Sequence, residues 1–432
     1  MSVFKGEDEV AELCRDLIRI DTTNPGDNTG PGERVAAEYV AGKLAEVGLE
    51  PRILESDRKR ASVIARIEGE DPGRGGLVLH GHLDVVPFNA SDWKYHPLSG
   101  EVADGCVWGR GAVDMKNMDA MILAVVRQRL SEGRRPPRDV VLAFTADEEA
   151  GGAYGAQWLA TEHPELFEGC TEAIGEVGGF SVSVGEGNRL YLIEAAEKGI
   201  AWMKLTATGR AGHGSMLNSE NAVTELAEAV GRIGRYEWPI RLTPTVRDFF
   251  KEAFDIEVEA DDAEAAAAKL GPLARMIGAT LRNTANPTMF DAGYKANVVP
   301  QVATAHVDGR FLPGYEEEFF ATIDELMGPN ITREFVYHDI SLETAFEGPL
   351  VKAMADSLLA EDPGARAVPY TLSGGTDLKA LSGLGIRGFG FAPLRLPADL
   401  DFSGMFHGID ERVPIDSLKF GVRVLDRFLD AC

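Results

Sequence analysis

The stretch LVLHGHLDVVP, residues 77–87, ends an apolar strand in two histidines and an aspartate. His82 and Asp84 stand two residues apart, so on a strand both side chains project from the same face. Helix-like and strand-like segments alternate on either side of this stretch. That alternation predicts an α/β fold with a largely parallel sheet, whose ligands bind at the carboxyl ends of the strands. His80, His82 and Asp84 lie at such an end.

The spacing of apolar residues places the elements around this strand. Apolar residues at helical spacing predict helices over residues 7–20, 33–48, 118–133 and 154–167. Apolar runs predict strands over residues 62–69, 76–83, 139–149 and 172–177.

The order of helix-like and strand-like segments changes after Lys198. An alternating strand at 199–212 and an amphipathic helix at 220–238 are typical of an α+β domain, and α/β alternation returns from Tyr315. The simplest organisation is one α/β domain made of residues 1–198 and 313–432. A second domain, residues 199–312, is then inserted into it.

Composition and charge limit the partners. Asp and Glu number 69 against 43 Lys and Arg, and the net charge of -26 repels nucleic acid and anionic membranes. No apolar run approaches the roughly 20 residues of a membrane span. The opening MSVFKGEDEV lacks the apolar core of a signal peptide, and the four cysteines form no CxxC pair. We therefore expect a cytoplasmic protein with neither a nucleic-acid nor a membrane partner.

Acidic residues end several of the predicted strands and precede one helix. Glu148 and Glu149 end one strand, Glu176 ends the next, and Asp114 follows a Gly-rich turn. Each has an ordinary explanation alone, as a helix cap or a solvated turn. Clustered carboxylates repel one another, however, and burying them is costly unless a cation binds among them. Together with His82 they suit zinc, cobalt or manganese.

Six separated segments resemble the M20 family of metallopeptidases. In chain order they are HGHLDVVP, GRGAVDMK, TADEEAGG, GEVGG, GRAGHGSMLN and MFHGID. That family includes glutamate carboxypeptidase, succinyl-diaminopimelate desuccinylase, acetylornithine deacetylase, aminoacylase and carnosinase-type dipeptidases. The resemblance covers nearly the whole chain. It implies a zinc-peptidase-like α/β/α catalytic domain with a mainly parallel sheet, and an inserted α+β domain that serves as lid and dimerisation surface.

The resemblance also implies two divalent metal ions, with zinc expected first and cobalt or manganese as alternatives. His82 and Glu176 match the ligands of one ion, Glu149 and His407 match those of the other, and Asp114 matches the bridging ligand. Three carboxylates against four positive charges leave one charge for a bridging hydroxide.

Three further residues match catalytic positions of the family. Asp84 would hydrogen-bond His82 and set its tautomer, and Glu148 would be the general base. His213 would come from a partner subunit and stabilise the oxyanion, which implies a homodimer through the inserted domain. The segment 239–291 is elaborated relative to compact members of the family.

Two segments and one asparagine are candidates for substrate contacts. Arg310 offers a fork for a carboxylate, and Asn297 is a candidate for the carbonyl region. The SGGTD segment, Ser373 to Asp377, offers a hydroxyl and backbone N–H groups, including those of Gly374, Gly375 and Thr376. A surface ion pair, a strand-edge residue and a loop turn are the alternative interpretations.

These observations predict a two-metal hydrolase that cleaves a peptide or N-acyl amide bond next to a free carboxylate. The substrate is then a small peptide or an N-acyl amino acid. One alternative keeps the fold and the ions but is a metal-dependent binding protein without turnover. A second alternative is a dehydrogenase that uses the GxGxxG glycines Gly383, Gly385 and Gly388, although a helix precedes them and a strand follows, the reverse of a dinucleotide fingerprint.

Overall fold

The computed structural model describes residues 3–184, 188–270 and 274–432. Its helices are α1 (Gly6–Arg19), α2 (Arg34–Ala45), α3 (Lys116–Ser131), α4 (Ala156–Glu162), α5 (Ala222–Arg235), α6 (Pro244–Phe254), α7 (Ala260–Ala268), α8 (Ala274–Ala279), α9 (Glu316–Met327), α10 (Pro349–Glu361), α11 (Leu378–Ser382) and α12 (Ile415–Ala431).

The strands of the first half are β1 (Arg52–Asp57), β2 (Arg60–Ile67), β3 (Gly76–His82), β4 (Glu101–Ala103), β5 (Cys106–Trp108), β6 (Val140–Thr145), β7 (Cys170–Gly175), β8 (Phe180–Val184) and β9 (Asn188–Glu197). Those of the second half are β10 (Gly199–Thr208), β11 (Gly212–His213), β12 (Thr284–Ala292), β13 (Val298–Val299), β14 (Val302–Phe311), β15 (Ile331–Asp339), β16 (Leu342–Glu343), β17 (Arg366–Leu372), β18 (Arg387–Gly390) and β19 (Arg412–Pro414).

Four parallel strands form the centre of the main sheet, in the order β6-β3-β7-β18. Antiparallel strands extend it on both sides, with β2 and β1 beside β6 and with β9 beside β18. Every residue of β3 is buried, as expected of a central parallel strand with helices on both faces. The predicted α/β fold with a mainly parallel central sheet is confirmed.

Helices cover both faces of this sheet. A Cβ on Gly81 would meet the carboxylate of Asp119 on α3, whereas the neighbouring His80 hydrogen-bonds Asp377 at the start of α11. Because successive strand residues face opposite sides, α3 and α11 lie on opposite faces. Helices α1 and α12 pack on α3. The first compact unit, residues 1–195, 344–369 and 376–432, is therefore an α/β/α sandwich.

Proline and glycine set two of the element ends. Predicted helix 154–167 divides into α4 and a 3-10 turn from Pro164 to Phe167, because proline lacks the N–H that a continuous helix needs. Predicted helix 33–48 ends earlier, with α2 closing at Ala45 and Gly48 adopting a left-handed φ of 87°.

The second compact unit, residues 196–343 and 370–375, has an antiparallel sheet in the order β12-β14-β10-β15. Helices α5 and α9 pack against its apolar face. The sequence analysis ended the inserted domain at residue 312. The unit runs to 343 because β15 pairs along β10, which keeps α9 and β15 with the insertion.

The segment 239–291 holds α6, α7 and α8 and most of β12. The glycines at 383–388 run from the end of α11 into β18, so the helix–strand order that argues against a dinucleotide fingerprint is present. Within the described ranges, no helix is both long and apolar enough to cross a membrane.

Candidate metal centre

The carboxyl ends of three neighbouring parallel strands carry most of the centre. His82 is the last residue of β3, and Glu148 and Glu149 lie on a 3-10 turn just after β6. Glu176 follows β7 directly. Because β6, β3 and β7 are adjacent and parallel, their ends meet at one edge of the sheet.

Two loops of the same unit complete the centre. Asp114 lies between β5 and α3, before a cis peptide bond to Met115. His407 follows the 3-10 turn Ser403–Met405 and has a left-handed φ of 57°. Neither loop position follows from helical or strand periodicity. The Gly-rich turn and the motif resemblance indicated Asp114, and the motif resemblance alone indicated His407.

The first group of potential ligands is buried. His82 Nε2 lies 3.1 Å from Asp114 Oδ1 and 3.4 Å from Glu176 Oε2. The potential ligand atoms of His82, Asp114 and Glu176 all lie within 4.8 Å of one another. One imidazole and two carboxylates are a donor set that zinc and its neighbours in the periodic table accept.

The second group shares Asp114 and is more accessible. His407 Nε2 lies 3.2 Å from Asp114 Oδ2 and 3.0 Å from Glu149 Oε2, and the His407 side chain is 56% exposed. Asp114 therefore directs one oxygen to each histidine, which is the arrangement of a bridging ligand. The two groups contain the residues that the resemblance assigned to two ions, and their role as ligands stays a prediction.

The charges of the centre are strongly coupled. Burial raises the pKa of Glu176 to about 8 against the opposing effect of His82, and burial with the neighbouring Glu176 raises the pKa of Glu148 well above its usual range. Hydrogen bonds to Asp114 and Glu149 raise the pKa of His407 to about 10. Carboxylates this close repel one another when ionised, and bound cations would offset that repulsion.

Asp84 makes hydrogen bonds that hold the turn after β6 and orient His82. Its carboxylate is fully buried, and its two oxygens accept the backbone N–H groups of Glu148 at 3.0 Å and Glu149 at 3.1 Å. His82 Nδ1 lies 3.1 Å from the Asp84 main-chain oxygen and 3.5 Å from the carboxylate. A carbonyl oxygen only accepts, so Nδ1 carries a proton, and Nε2 is the nitrogen left to bind a cation. The tautomer is thus set mainly by the backbone of Asp84, whereas the sequence analysis assigned that task to its side chain.

A divalent cation fits the residues present. Oε1 of Glu149 is buried without a hydrogen-bond partner, and such an orphaned carboxylate oxygen is costly unless it binds a cation. The nearby Nε2 atoms of His82 and His407 and the oxygens of Asp114 complete nitrogen–oxygen sets suited to zinc, cobalt or manganese.

Two supporting contacts were not predicted from the sequence. Asn24 donates from Nδ2 to Asp84 at 2.8 Å and to Asp147 at 3.0 Å. Asp377 lies 3.0 Å from Nε2 of His80, which the sequence left without a role. Both contacts join residues far apart in the chain, and neither has a spacing that sequence reasoning recognises.

His213 and Asn297 come together in the second unit. The strands β11 and β13 pair, and Asn297 O accepts the N–H of Gly214 at 2.9 Å. His213 is exposed, and its Nδ1 lies 2.8 Å from Ser215 Oγ and 3.2 Å from Ser215 N. A backbone N–H only donates, so Nδ1 accepts. The single proton of the neutral ring then resides on Nε2.

The remaining predicted substrate contacts are divided between the two units. Arg310 lies on β14, where Nε and Nη2 bind Asp308 at 2.6 and 3.1 Å. Its fork is therefore already paired within the second unit, as in the alternative interpretation of an ion pair, for which the sequence named no partner. The last group follows β17, and it comprises Ser373, Gly374 and Gly375 in the second unit and the buried Thr376 in the first.

Comparison with known proteins identifies the family. The profile of peptidase family M20/M25/M40 matches residues 78–431. The chain belongs to this family. Aminoacylase-1 from Sus scrofa is 25% identical over 435 residues, which cover 99% of this chain and 96% of that protein. The probable carboxypeptidase S-like 2 of Dictyostelium discoideum is 28% identical over 384 residues, which cover 83% of this chain and 72% of that protein.

Solved structures agree with the fold. The M20 family metallo-carboxypeptidase Sso-CP2 from Sulfolobus solfataricus has a TM-score of 0.76 at 19% identity, covering 98% of this chain and 99% of that one. The Bacillus subtilis YXEP protein, described as a dinuclear metal-binding peptidase, has a TM-score of 0.62 at 13% identity and covers 98% of this chain and 97% of its own. The predictions of the family, of its fold and of a metal-dependent hydrolase of peptide or N-acyl amide bonds are confirmed at family level.

Proposed function

We propose that this M20 chain binds two divalent ions and hydrolyses a peptide or N-acyl amide bond beside a free carboxylate. The observation that carries the proposal is the pair of ligand groups sharing Asp114, with Glu148 beside them and in neither group. Zinc is proposed for both positions, and cobalt or manganese would suit the same donors. The reduced state of the four cysteines supports the cytoplasm as the location.

Bound ions would polarise the amide carbonyl and lower the pKa of a water molecule towards about 7. Glu148 is positioned to move the proton, because its backbone N–H is held by Asp84 and its Oε2 lies 3.8 Å from His82 Nε2. Glu148 accepts the proton of the attacking water as the new C–O bond forms. It then returns that proton to the amide nitrogen as the C–N bond breaks, because an unprotonated amine leaves poorly.

We assign substrate-facing roles to residues of the second unit and to Thr376 of the first. His213 offers an Nε2–H donor, the form that an oxyanion requires, because Ser215 occupies its Nδ1. Arg310 binds the substrate carboxylate in place of Asp308, and Asn297 and the Ser373–Thr376 segment contribute polar groups. His213 acts in a homodimer formed through the inserted domain, as the resemblance implies.

The substrate class follows from the relatives and the carboxylate-binding candidates. An aminoacylase and a carboxypeptidase-like protein are similar to this chain. An N-fatty-acyl-amino acid synthase/hydrolase from Xenopus tropicalis is 26% identical over 449 residues and covers 97% of the chain. All three names are compatible with an amide nitrogen next to a carboxylate. We therefore propose N-acyl amino acids and small peptides as substrates.

The variant Glu148→Gln tests the proposal. It keeps the shape of the side chain but removes the base, so kcat should fall by about 10²- to 10⁴-fold while two ions per chain remain bound. Metal content is measured by elemental analysis, and kcat on N-acetyl amino acids and dipeptides with zinc, cobalt and manganese in turn. Glu165→Gln is the matched control, since Glu165 also lies on a 3-10 turn but is 58% exposed.

The outcomes separate the alternatives. Activity of the Glu148 variant within tenfold of the wild type would remove the residue from the proton-transfer role. A wild-type protein that holds both ions yet cleaves no substrate in the screen would instead support a metal-dependent binding protein.

A further inference from the structure

One buried carboxylate connects the two loops of the metal centre. Glu411 Oε1 accepts the backbone N–H groups of Gly111 at 3.1 Å, Val113 at 2.7 Å and Asp114 at 3.0 Å. The second oxygen, Oε2, binds Arg110 Nη1 at 2.7 Å, and Glu411 is fully buried. The main-chain oxygen of Glu411 also accepts the N–H of residue 109 at 2.9 Å. The loop that presents Asp114 therefore wraps around a single side chain.

The position of Glu411 in the chain makes this contact relevant to both ligand groups. Glu411 lies four residues after His407, in the segment that leads into β19. It thus holds the backbone of Asp114, which faces both histidines, to the segment that carries one of them. His407 itself is more than half exposed, so little packing of its own side chain sets its position.

We propose that Glu411 is a positioning residue that sets the placement of Asp114 relative to His407. The inference rests on the proposed two-ion site. Few other side chains at position 411 would satisfy these donors, because three amides donate to one carboxylate oxygen and a guanidinium binds the other. Four donors of this kind select a charged acceptor with two oxygens.

The variant Glu411→Gln keeps the size of the side chain but replaces one acceptor by a donor. If the new amide faces Arg110, two donors oppose each other; if it faces the loop, the amides of Gly111, Val113 and Asp114 lose their acceptor. In either orientation the Asp114 loop shifts relative to His407. Residues that orient metal ligands change affinity by about 10- to 100-fold when replaced, and we expect Co²⁺ uptake to weaken on that scale.

The experiment titrates metal-free full-length protein with Co²⁺ and follows calorimetric heat and the visible Co²⁺ absorption spectrum. Glu172→Gln is the matched control: Glu172 is also a nearly buried carboxylate that binds arginines, at 2.6 Å from Arg138 and 2.5 Å from Arg387, but it lies near the amino end of β7. Thermal unfolding of both variants without metal measures the structural cost alone. We expect both to lose stability, with weakened uptake and an altered spectrum for Glu411→Gln alone.

The outcomes test the positioning role of Glu411 and the two-ion site separately. Wild-type uptake and spectrum in folded Glu411→Gln, or equal weakening in Glu172→Gln, would overturn the positioning role. If Glu411→Gln does not fold, Arg110→Lys is titrated in its place. It keeps the amide contacts and weakens the pairing of Oε2, so a smaller loss of affinity is expected and unchanged uptake overturns the inference. Failure of the wild type to bind two Co²⁺ would instead refute the two-ion site.

Discussion

The substitution Asp84→Asn tests how the turn that carries Glu148 and Glu149 is held. The Asp84 carboxylate accepts three hydrogen bonds in the structure. Oδ1 accepts the N–H of Glu148 at 3.0 Å, whereas His82 Nδ1 lies 3.5 Å away and donates to the main-chain oxygen instead. Oδ2 faces the N–H of Glu149 at 3.1 Å and Asn24 Nδ2 at 2.8 Å. Asparagine preserves the shape and replaces one of these oxygens by an NH₂ group.

The magnitude follows from counting the donors left without an acceptor. If Oδ2 becomes NH₂, two buried donors face another donor; if Oδ1 does, one donor is left, the N–H of Glu148. An unsatisfied buried donor costs about 1–3 kcal/mol, so the less costly orientation still costs about 1–3 kcal/mol. This free energy opposes the closed form of the turn Glu148–Ala150. At about 1.4 kcal/mol per factor of ten, the turn opens at least roughly five times more often.

Hydrogen–deuterium exchange, read by mass spectrometry on the peptide that contains Glu148 and Glu149, measures this opening in the native state. Asp139→Asn is the control, because Asp139 accepts Gly69 N at 2.9 Å and Arg66 Nη1 at 2.8 Å while remaining 22% exposed. Water can replace the lost contacts at Asp139, so the free-energy cost of Asp139→Asn should stay under about 1 kcal/mol. Exchange at 148–149 within threefold of the wild type would refute the reasoning.

Two further predictions concern the second unit. Ser215→Ala removes a hydroxyl donor 2.8 Å from His213 Nδ1 but keeps the backbone donor, so kcat should fall about fivefold, the effect of one neutral hydrogen bond, with KM unchanged. Steady-state kinetics measure it, and an unchanged kcat would contradict the tautomer assignment. Arg310→Ala should raise KM for substrates with a free carboxylate by about tenfold or more, since a charged hydrogen bond contributes about 1.5–3 kcal/mol. Amidated analogues should be unaffected, and an equal loss on them would exclude carboxylate recognition.

The periodicity of the sequence predicted the elements that carry the centre. The strand expected over 76–83 is β3, and the strand expected over 139–149 is β6 up to Thr145, with the acidic residues in the turn that follows. Buried parallel strands are continuous apolar runs, which is why their ends can be recognised in the sequence. The boundary of the insertion was less visible, because the pairing of β15 with β10 is a long-range contact that has no local pattern.

The contacts that support the metal centre could not be predicted from the sequence for the same reason. Glu411 and Asp114 are 297 positions apart, and nothing in the local sequence shows that one carboxylate accepts the amides of a distant loop. The pairing of Arg310 with Asp308 spans two positions on the same strand. An ion pair was one interpretation of Arg310, but Asp308 was not predicted as its partner, because two residues of opposite charge at that spacing pair only if no other partner lies closer.

The sequence by itself determined the family, the α/β order and the kinds of atoms available for a metal, because these depend on composition, periodicity and motif spacing. Tertiary structure alone decided that Asp114 directs one oxygen to His82 and the other to His407. It also decided that Asp84 offers its main-chain oxygen to His82. These contacts depend on the positions of loops to within about an ångström. Those positions are set by buried hydrogen bonds between residues that are far apart in the sequence.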